Sequence, residues 1–519
     1  MTMYIDINTL PSDVETLQKM VVELFNRLEA LEAKHQDTLE ELRLLKQKHY
    51  GVSSETVLPP VCHEEEYNEE QGDSPALDED LITVTVTRKK SRPRQPLPKD
   101  LPRERVVVDV SPDEKWCDCC QSERVCIGEE VSEKLLYVPA SWKVQDIIRP
   151  KYACRQCEKE KTHVQIVIAP MPAMLIPKSF ATPSLLAQIV SAKFCYALPL
   201  YRQEKQFAEL GVALNRQTMS RWMTACADEA QPILDLLKAH LLKQGSIFAD
   251  ETTLKVVDSQ KKKSYIWVYG HGSDIAAKGD ISIVLFDYQE GSRSHLCPVR
   301  YLEGYDGYLQ VDGYRAYEKT DATLVGCWAH ARRKFTDVIK ALPKAATQKP
   351  GKAQWAISKI KMLYVIEKRL ASNQASVEEV YRTRQEEAEP IIKEFESWLN
   401  KSLEQVPPSS LLGKAIAYCL GQWTKLTVYL LDGRLSIDNN RAERAVRPFT
   451  IGRKNWVLSN THHGAQSSAA LYSLVETAKA NGKSPYAYLE YLFTKLPKVT
   501  DGNYDYLLPW NFQEAEDSS

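Results

Sequence analysis

Between residues 246 and 335 five short apolar runs follow one another, SIFADETTLKVV, KSYIWVYG, ISIVLFDY, GYLQVD and TLVGCW, and their order limits the folds open to the chain. Apolar and polar residues alternate along them as in half-buried strands. The polar DSQKKK stretch joins the first two as a turn, so the first three read as a meander. GSRSHLCPVRYLEG can form a helix that crosses to the fourth run. Strands first, then strands alternating with helices, predict a mixed α/β core. In that arrangement Asp250 on the first strand and Asp312 on the fourth become neighbours. From about 335 to 430 the sequence is helical and rich in charge, with Trp355, Trp398 and Trp423 along it. It reads as a helical domain inserted ahead of the helix that bears Glu443.

Three acids stand in settings suited to metal-assisted phosphoryl transfer: Asp250 in IFADETTLKVV, Asp312 in YLQVDGYRAY and Glu443 in SIDNNRAERAVRPFTIGRKNW. The first two lie at or just past the ends of apolar runs, where strands put side chains at the rim of a sheet. Hard Mg²⁺ prefers carboxylate oxygens. Two divalent ions (Mg²⁺ or Mn²⁺) about 4 Å apart can clamp the attacking and leaving oxygens of a phosphodiester displacement. Each acid has a rival. Glu251 points away from Asp250 by strand alternation, so only one of the two can face the ions. Asp306, in GYDGY, is more simply a turn residue. Asn440 and Glu443 are spaced as a capping box, in which the acid merely satisfies a backbone N–H. Asp438 could cap the same helix or approach the metals.

Basic residues accompany the acids. Six Lys/Arg and two acids lie from Arg434 to Trp456. On a helix, Arg444 and Arg447 share a face suited to phosphates. Arg453 and Lys454 follow Gly452 in an expected loop or strand, where Trp456 could stack on a base. Arg332, Arg333 and Lys334, with His330, form a second basic patch. Cys327 and His330 invite a zinc reading, but with no further ligand pair nearby they read as a packed thiol and a phosphate-facing histidine.

The N-terminal third is modular. Residues 14–48 put Val14, Val21, Leu28 and Leu42 at one heptad position and Leu17, Leu24, Leu31 and Leu45 three residues later, with interruptions at His35 and Thr38. That repeat predicts a coiled coil, hence a homodimer or higher oligomer; one amphipathic helix packed on its own protein is the alternative. Residues 64–80 hold nine acids and no Lys or Arg, whereas 88–105 hold eight Lys/Arg against two acids. Such a segment cannot bury enough surface to fold alone and reads as a linker. Cys117 with Cys120, and Cys154 with Cys157, form two CxxC pairs suited to one structural Zn²⁺ in tetrahedral Cys₄ coordination; Cys119 and Cys126 are spare. YRQEKQFAEL, Gly211 and a helix opened by Asn215 fit a helix-turn-helix, with Arg216, Gln217, Ser220 and Arg221 near the end that meets base edges, and fit an ordinary helical hairpin equally well.

These segments divide the chain into a coiled-coil helix (1–55), a linker (56–105), a zinc-finger-like module (106–165), a helical region (175–245) and the first part of the core (246–335). A helical insertion (336–432), the final catalytic helix segment (433–480) and a C-terminal tail region (481–519) follow. The near-neutral balance of 67 basic and 69 acidic residues supplies no overall attraction for DNA, which local basic patches would have to hold. No signal peptide and no membrane-length apolar run is present, so a cytoplasmic protein with no membrane partner is expected. Twelve scattered cysteines fit that reducing compartment.

The flanking residues carry a closer likeness. YGVSSE at 50–55, the paired CxxC motifs, LPLYRQEKQF at 198–207, VDGYRAY at 311–317, GCWAHARRKF at 326–335 and DNNRAERAVRPFTIGRKNW at 438–456 occur in one order. In these the chain resembles the transposases of the insertion sequence 66 family, bacterial elements of the DDE class. The resemblance implies an RNase H-like core and a zinc-finger-like module, and it favours Asp250, Asp312 and Glu443 as the ligands of two metal ions. It implies a DNA transposase that cuts element ends and joins them to target DNA, and element-encoded accessory proteins as partners. The rivals are a nuclease or resolvase on the same fold, and a zinc-finger DNA-binding protein with inert acids.

Overall fold

The computed structural model describes residues 13–50, 119, 142–153, 166–261, 263–272, 281–342 and 351–514. The chain divides into two units, residues 65–171 and the remainder. In the smaller unit β1 (Lys151–Ala153) pairs antiparallel with β2 (Ile166–Ile168). The second CxxC pair falls in the connection between these strands. Cys117, Cys120, Cys154 and Cys157 lie outside the described residues, as does the whole linker; Cys119 is described and exposed.

In the larger unit, α1 (Val14–Tyr50) is one helix of 37 residues. Its C-terminal part lies against the protein, with Leu44 buried and Glu41 bonded to Lys414 at 2.5 Å. The heptad residues Val14, Val21, Leu24, Leu28, Leu31, Leu42 and Leu45 are exposed. Four helices follow: α2 (Pro183–Phe194), α3 (Leu200–Glu209), α4 (Arg216–Glu229) and α5 (Gln231–Leu241). Between α3 and α4 the chain turns at Gly211, φ 80°, and Asn215 caps α4 by accepting the Thr218 N–H at 2.8 Å.

The sheet comprises β3 (Ser246–Leu254), β4 (Ser264–His271), β5 (Ile283–Gln289), β6 (Tyr308–Gln310) and β7 (Thr323–Val325), in the spatial order β5-β4-β3-β6-β7. The first three form the antiparallel meander; β6 and β7 join in parallel. The crossing helix between β5 and β6 is α6 (Leu296–Tyr301). β3 outlasts its apolar run because the β-branched Thr252 and Thr253 keep it paired with β4. Asp250 is therefore mid-strand, opposite Val268, rather than at a strand end.

After β7, α7 (Trp328–Ala341) passes unbroken through the boundary expected at 335/336. With α8 (Lys352–Ser372), α9 (Val377–Thr383), α10 (Glu389–Leu403) and α11 (Leu411–Gly421), it builds a second core around Trp328, Phe335, Phe395 and Leu399. The boundary vanishes because Val325, Trp328 and Phe335 face this second core and not the sheet's. Trp355, Trp398 and Trp423 all stack on Phe395 there.

The chain then returns through α12 (Asn440–Trp456), α13 (His462–Ala480) and α14 (Pro485–Lys495). α13 covers the free edge of β5 with hydroxyls: Ser473 accepts the Phe286 N–H at 2.8 Å, and Thr477 accepts that of Val284 at 3.1 Å. An edge satisfied by side chains is closed to a further strand.

Candidate active site

The last rung between the parallel strands β3 and β6 pairs Phe248 with Gln310. Asp250 and Asp312 each follow two residues later, so the pleat carries both toward one place. Asp312 is fixed by a tight turn: its Oδ1 accepts the Tyr314 N–H at 2.9 Å, and Gly313 supplies φ 93°, open to glycine at no steric cost. Tyr418 of the insertion donates its hydroxyl to the Asp312 carbonyl at 3.2 Å.

Glu251 faces the other way. Its side chain is 2% exposed, paired with Arg293, and accepts the Tyr317 hydroxyl at 2.9 Å. Burial outweighs these partners and holds its carboxyl above the usual range. Asp250 is raised further, to about 7, chiefly by burial, then by Glu251, with Asp312 and Glu443 adding to the repulsion. The three acids named from the sequence thus share one electrostatic neighbourhood.

Glu443 is not a capping residue. The helix begins at Asn440 with Asn439 as its N-cap, and no side-chain cap bond forms. The carboxylate instead leans toward His330 Nε2 at 3.7 Å and Arg333 at 3.9 Å, both on α7. These separations exceed a hydrogen bond, and the side chain is 39% exposed. Asp438, the rival, is buried and engaged: it accepts the Tyr364 hydroxyl at 2.8 Å and the Asn440 amide at 2.8 Å.

Residues that no sequence pattern flagged hold this geometry. Asn439 is buried, donates Nδ2–H to the Ala249 carbonyl at 2.9 Å, and donates its backbone N–H to Cys327 Sγ at 3.2 Å. The Trp328 N–H bonds the Ile437 carbonyl at 3.1 Å. One short segment thereby ties the start of α12 to the residue before Asp250 and to the start of α7. Cys327 is the packed thiol, its pKa pushed up to about 12 by burial. His330 is lowered by burial and by Arg333. Arg293, Tyr317, Tyr364 and Asn439 escaped notice because their roles depend on partners 42 to 190 residues away.

The expected DNA contacts divide into two sets. Arg216, Gln217, Ser220 and Arg221 are all exposed on α4, while Met219, Trp222 and Met223 face inward. Arg333, Arg444, Arg447 and Lys454 are exposed and Arg332 is half-buried. Arg453 and Lys454 lie on a helix, not in a loop or strand, because α12 runs through to Trp456. Arg453 turns back to β3, reaching the Thr253 carbonyl and, at 3.1 Å, the Thr252 hydroxyl. Trp456 packs inward near Tyr472 and Phe194, in space that Gly452 leaves open; a Cβ there would overlap the indole.

The donor chemistry suits hard divalent cations: three carboxylates, one of them kept from ionising freely by burial and its acidic neighbours. Among the described residues no three His, Cys, Asp or Glu side chains converge on one metal position. The Glu443 carboxylate, 39% exposed, makes no contact closer than the 3.7 Å to His330 among its two ion-pair partners.

A mixed sheet with clustered acids and flanking basic helices defines a metal-dependent enzyme of nucleic acids as the class the residues suit. Residues 178–467 match the profile described as Transposase IS66 family, and 473–510 match the IS66 C-terminal element. Residues 114–158, which include all four paired cysteines, match the zinc-finger binding domain of transposase IS66. Residues 39–106 match a profile described as Transposase C of IS166 homeodomain. Similar chains in Sinorhizobium fredii include uncharacterized protein y4jD, 33% identical over 97% of each chain, and uncharacterized protein y4qI, 31% identical over 98% of this chain and 99% of that one. No solved structure matches. The chain belongs to the IS66 transposase family and is an insertion-element transposase. That family implies a DNA partner, divalent metal use and zinc binding. Among the described residues no helix is long and apolar enough to cross a membrane.

Proposed function

We propose that this transposase cuts the ends of its element and joins them to target DNA in an RNase H-like active site formed by Asp250, Asp312 and Glu443. The observation that carries this reading is the register of β3 and β6, which brings two acids to one level, together with the repulsion that Asp250 feels from both Asp312 and Glu443. The sheet order β5-β4-β3-β6-β7, with the first acid on its central strand, supports the RNase H-like assignment.

Two Mg²⁺ or Mn²⁺ ions would supply Lewis-acid stabilisation of the attacking and leaving oxygens. Asp250 and Asp312 are the fixed ligands and Glu443 the adjustable one. Asp250 must be ionised to bind metal, so its raised pKa makes loading favour pH above about 7. Asn439 keeps α12 against β3 while Glu443 moves. Arg332, Arg333, Arg444, Arg447 and Lys454 take phosphates, Arg453 braces the end of β3, and Arg216 and Arg221 read the element end.

Cys117, Cys120, Cys154 and Cys157 hold one structural zinc; metal analysis of the full chain should lose one zinc with Cys154→Ser. The exposed heptad residues of α1 pair two chains.

Incubating the full chain with its element's end, a target plasmid and Mg²⁺ tests the main reading. Joined product is expected. Cut but unjoined ends would make it a nuclease, and bound, intact DNA would make the acids inert.

A further inference from the structure

The solvent face of α12 carries a pattern that metal chemistry does not use. Arg444, Arg447, Ile451 and Lys454 are exposed and recur at intervals of three and four, which aligns them in one stripe. Ala442, Val446, Phe449 and Gly452 form the buried face. The stripe begins beside Glu443 and runs to Val457, where the chain leaves the helix with φ 65° and ψ −44°.

That exit is strained. The Val457 N–H still bonds the Arg453 carbonyl at 2.7 Å, and the Leu458 N–H closes on the Trp456 carbonyl at 2.7 Å. The result is a three-residue turn of the rare positive-φ form. A β-branched residue is a genuine outlier at positive φ, and burial does not compensate, because Val457 is 62% exposed. The surroundings impose the turn. The Ser459 N–H bonds the Lys255 carbonyl at 2.9 Å, and the Val257 and Asp258 N–H groups bond the Ser459 and Asn460 carbonyls. Val257, on the facing segment, is exposed as well. Strain held in place by neighbouring structure is a mark of functional positions.

We propose that Val457 is an apolar wedge for duplex DNA: phosphates of a bound element end follow the stripe from Arg444 to Lys454, and the valine presses into a base step beyond it. A branched apolar side chain at the end of a cationic track has the form of the wedges that unstack base steps, and the cations of that track complement phosphates. Fourteen residue steps lead from Glu443 to Val457, about 21 Å at 1.5 Å per step. At 3.4 Å per base pair the wedge acts about six base pairs from the phosphate at the acids. This rests on the reading of Glu443 as part of the cutting site.

The full chain, mixed with a duplex carrying its own element's end and single 2-aminopurine substitutions around that step, tests the proposal. Fluorescence should rise several-fold at about the sixth base pair with the wild type and with Val457→Leu. It should return to the free-duplex level with Val457→Gly, although glycine relieves the backbone and this variant should melt no lower than the wild type. An undiminished rise with Val457→Gly, or no rise with the wild type while Mg²⁺-dependent cutting of the same duplex proceeds, overturns the wedge and leaves the cutting site intact. A Val457→Gly chain that keeps the DNA signal but sediments as a smaller species assigns the valine to a protein contact and also overturns it. A wild-type chain that neither binds nor cuts the duplex overturns both readings.

Discussion

The strand that carries Asp250 and the helix that carries Glu443 are held by opposite means. Asp250 sits in the middle of a nine-residue strand, paired with β4 at its own level and with β6 as far as Phe248, and is largely out of water. Backbone pairing fixes it, and repulsion from its neighbours works against it. Glu443 stands on a helix that enters the site from a second hydrophobic core, through Ile437, Asp438 and Asn439. Packing fixes the helix, and the carboxylate keeps freedom. The proposed site would then have one rigid wall and one adjustable arm, an arrangement suited to successive steps on two different DNA strands.

Activity should separate the two most sharply. Asp250→Asn, Asp312→Asn and Glu443→Gln are each expected to lower cleavage by on the order of 10³-fold or more, with end binding retained. Lengthening should then distinguish wall from arm: Asp250→Glu, confined by burial, should be as inactive as Asp250→Asn, whereas Glu443→Asp should keep measurable cutting in Mn²⁺. Equal loss in both would break the comparison.

Stability gives the next largest difference. The Asp250 carboxyl is raised to about 7, so the folded chain binds this proton more tightly than the unfolded chain does. Its penalty is absent below the ordinary carboxylate range and grows as pH rises toward 7. In chelator at pH 8, Asp250→Asn should therefore be more stable than the wild type, by at most about 4 kcal/mol, and at pH 4 the two should converge. Glu443→Gln should show no such gain. Thermal melts at the two pH values decide it, and a melting point of Asp250→Asn below the wild type at pH 8 would remove the frustrated-strand account.

A smaller effect tests the arm's support. Tyr364→Phe leaves Asp438 without its hydroxyl partner and should cost about 1–2 kcal/mol. Cleavage should fall while the pH dependence of stability due to Asp250 stays as in the wild type. The smallest effect is on DNA binding. Arg447→Ala and Lys454→Ala should each reduce the slope of log affinity against log salt by about 1, whatever the DNA sequence. Arg453→Ala should leave that slope alone, because its guanidinium is spent on β3.

Local pattern was enough to find the strands, the turn at Gly211 and the cap at Asn215, because alternation, glycine conformation and capping are properties of neighbouring residues. It could not extend α12 through Trp456, since that helix is completed by packing against Phe194 and Tyr472, far away in the chain. Nor could it choose between a capping and a free Glu443; the choice depends on His330 and Arg333 standing opposite. The sequence by itself determined the family to which this chain belongs and the order of its strands along the chain. Tertiary structure alone decided that Asp250 is buried among like charges, that Asn439 and Tyr364 hold the start of the helix bearing Glu443, and that a strained valine ends the basic stripe. Each of these rests on contacts between residues distant in sequence, and a local pattern holds no record of such contacts.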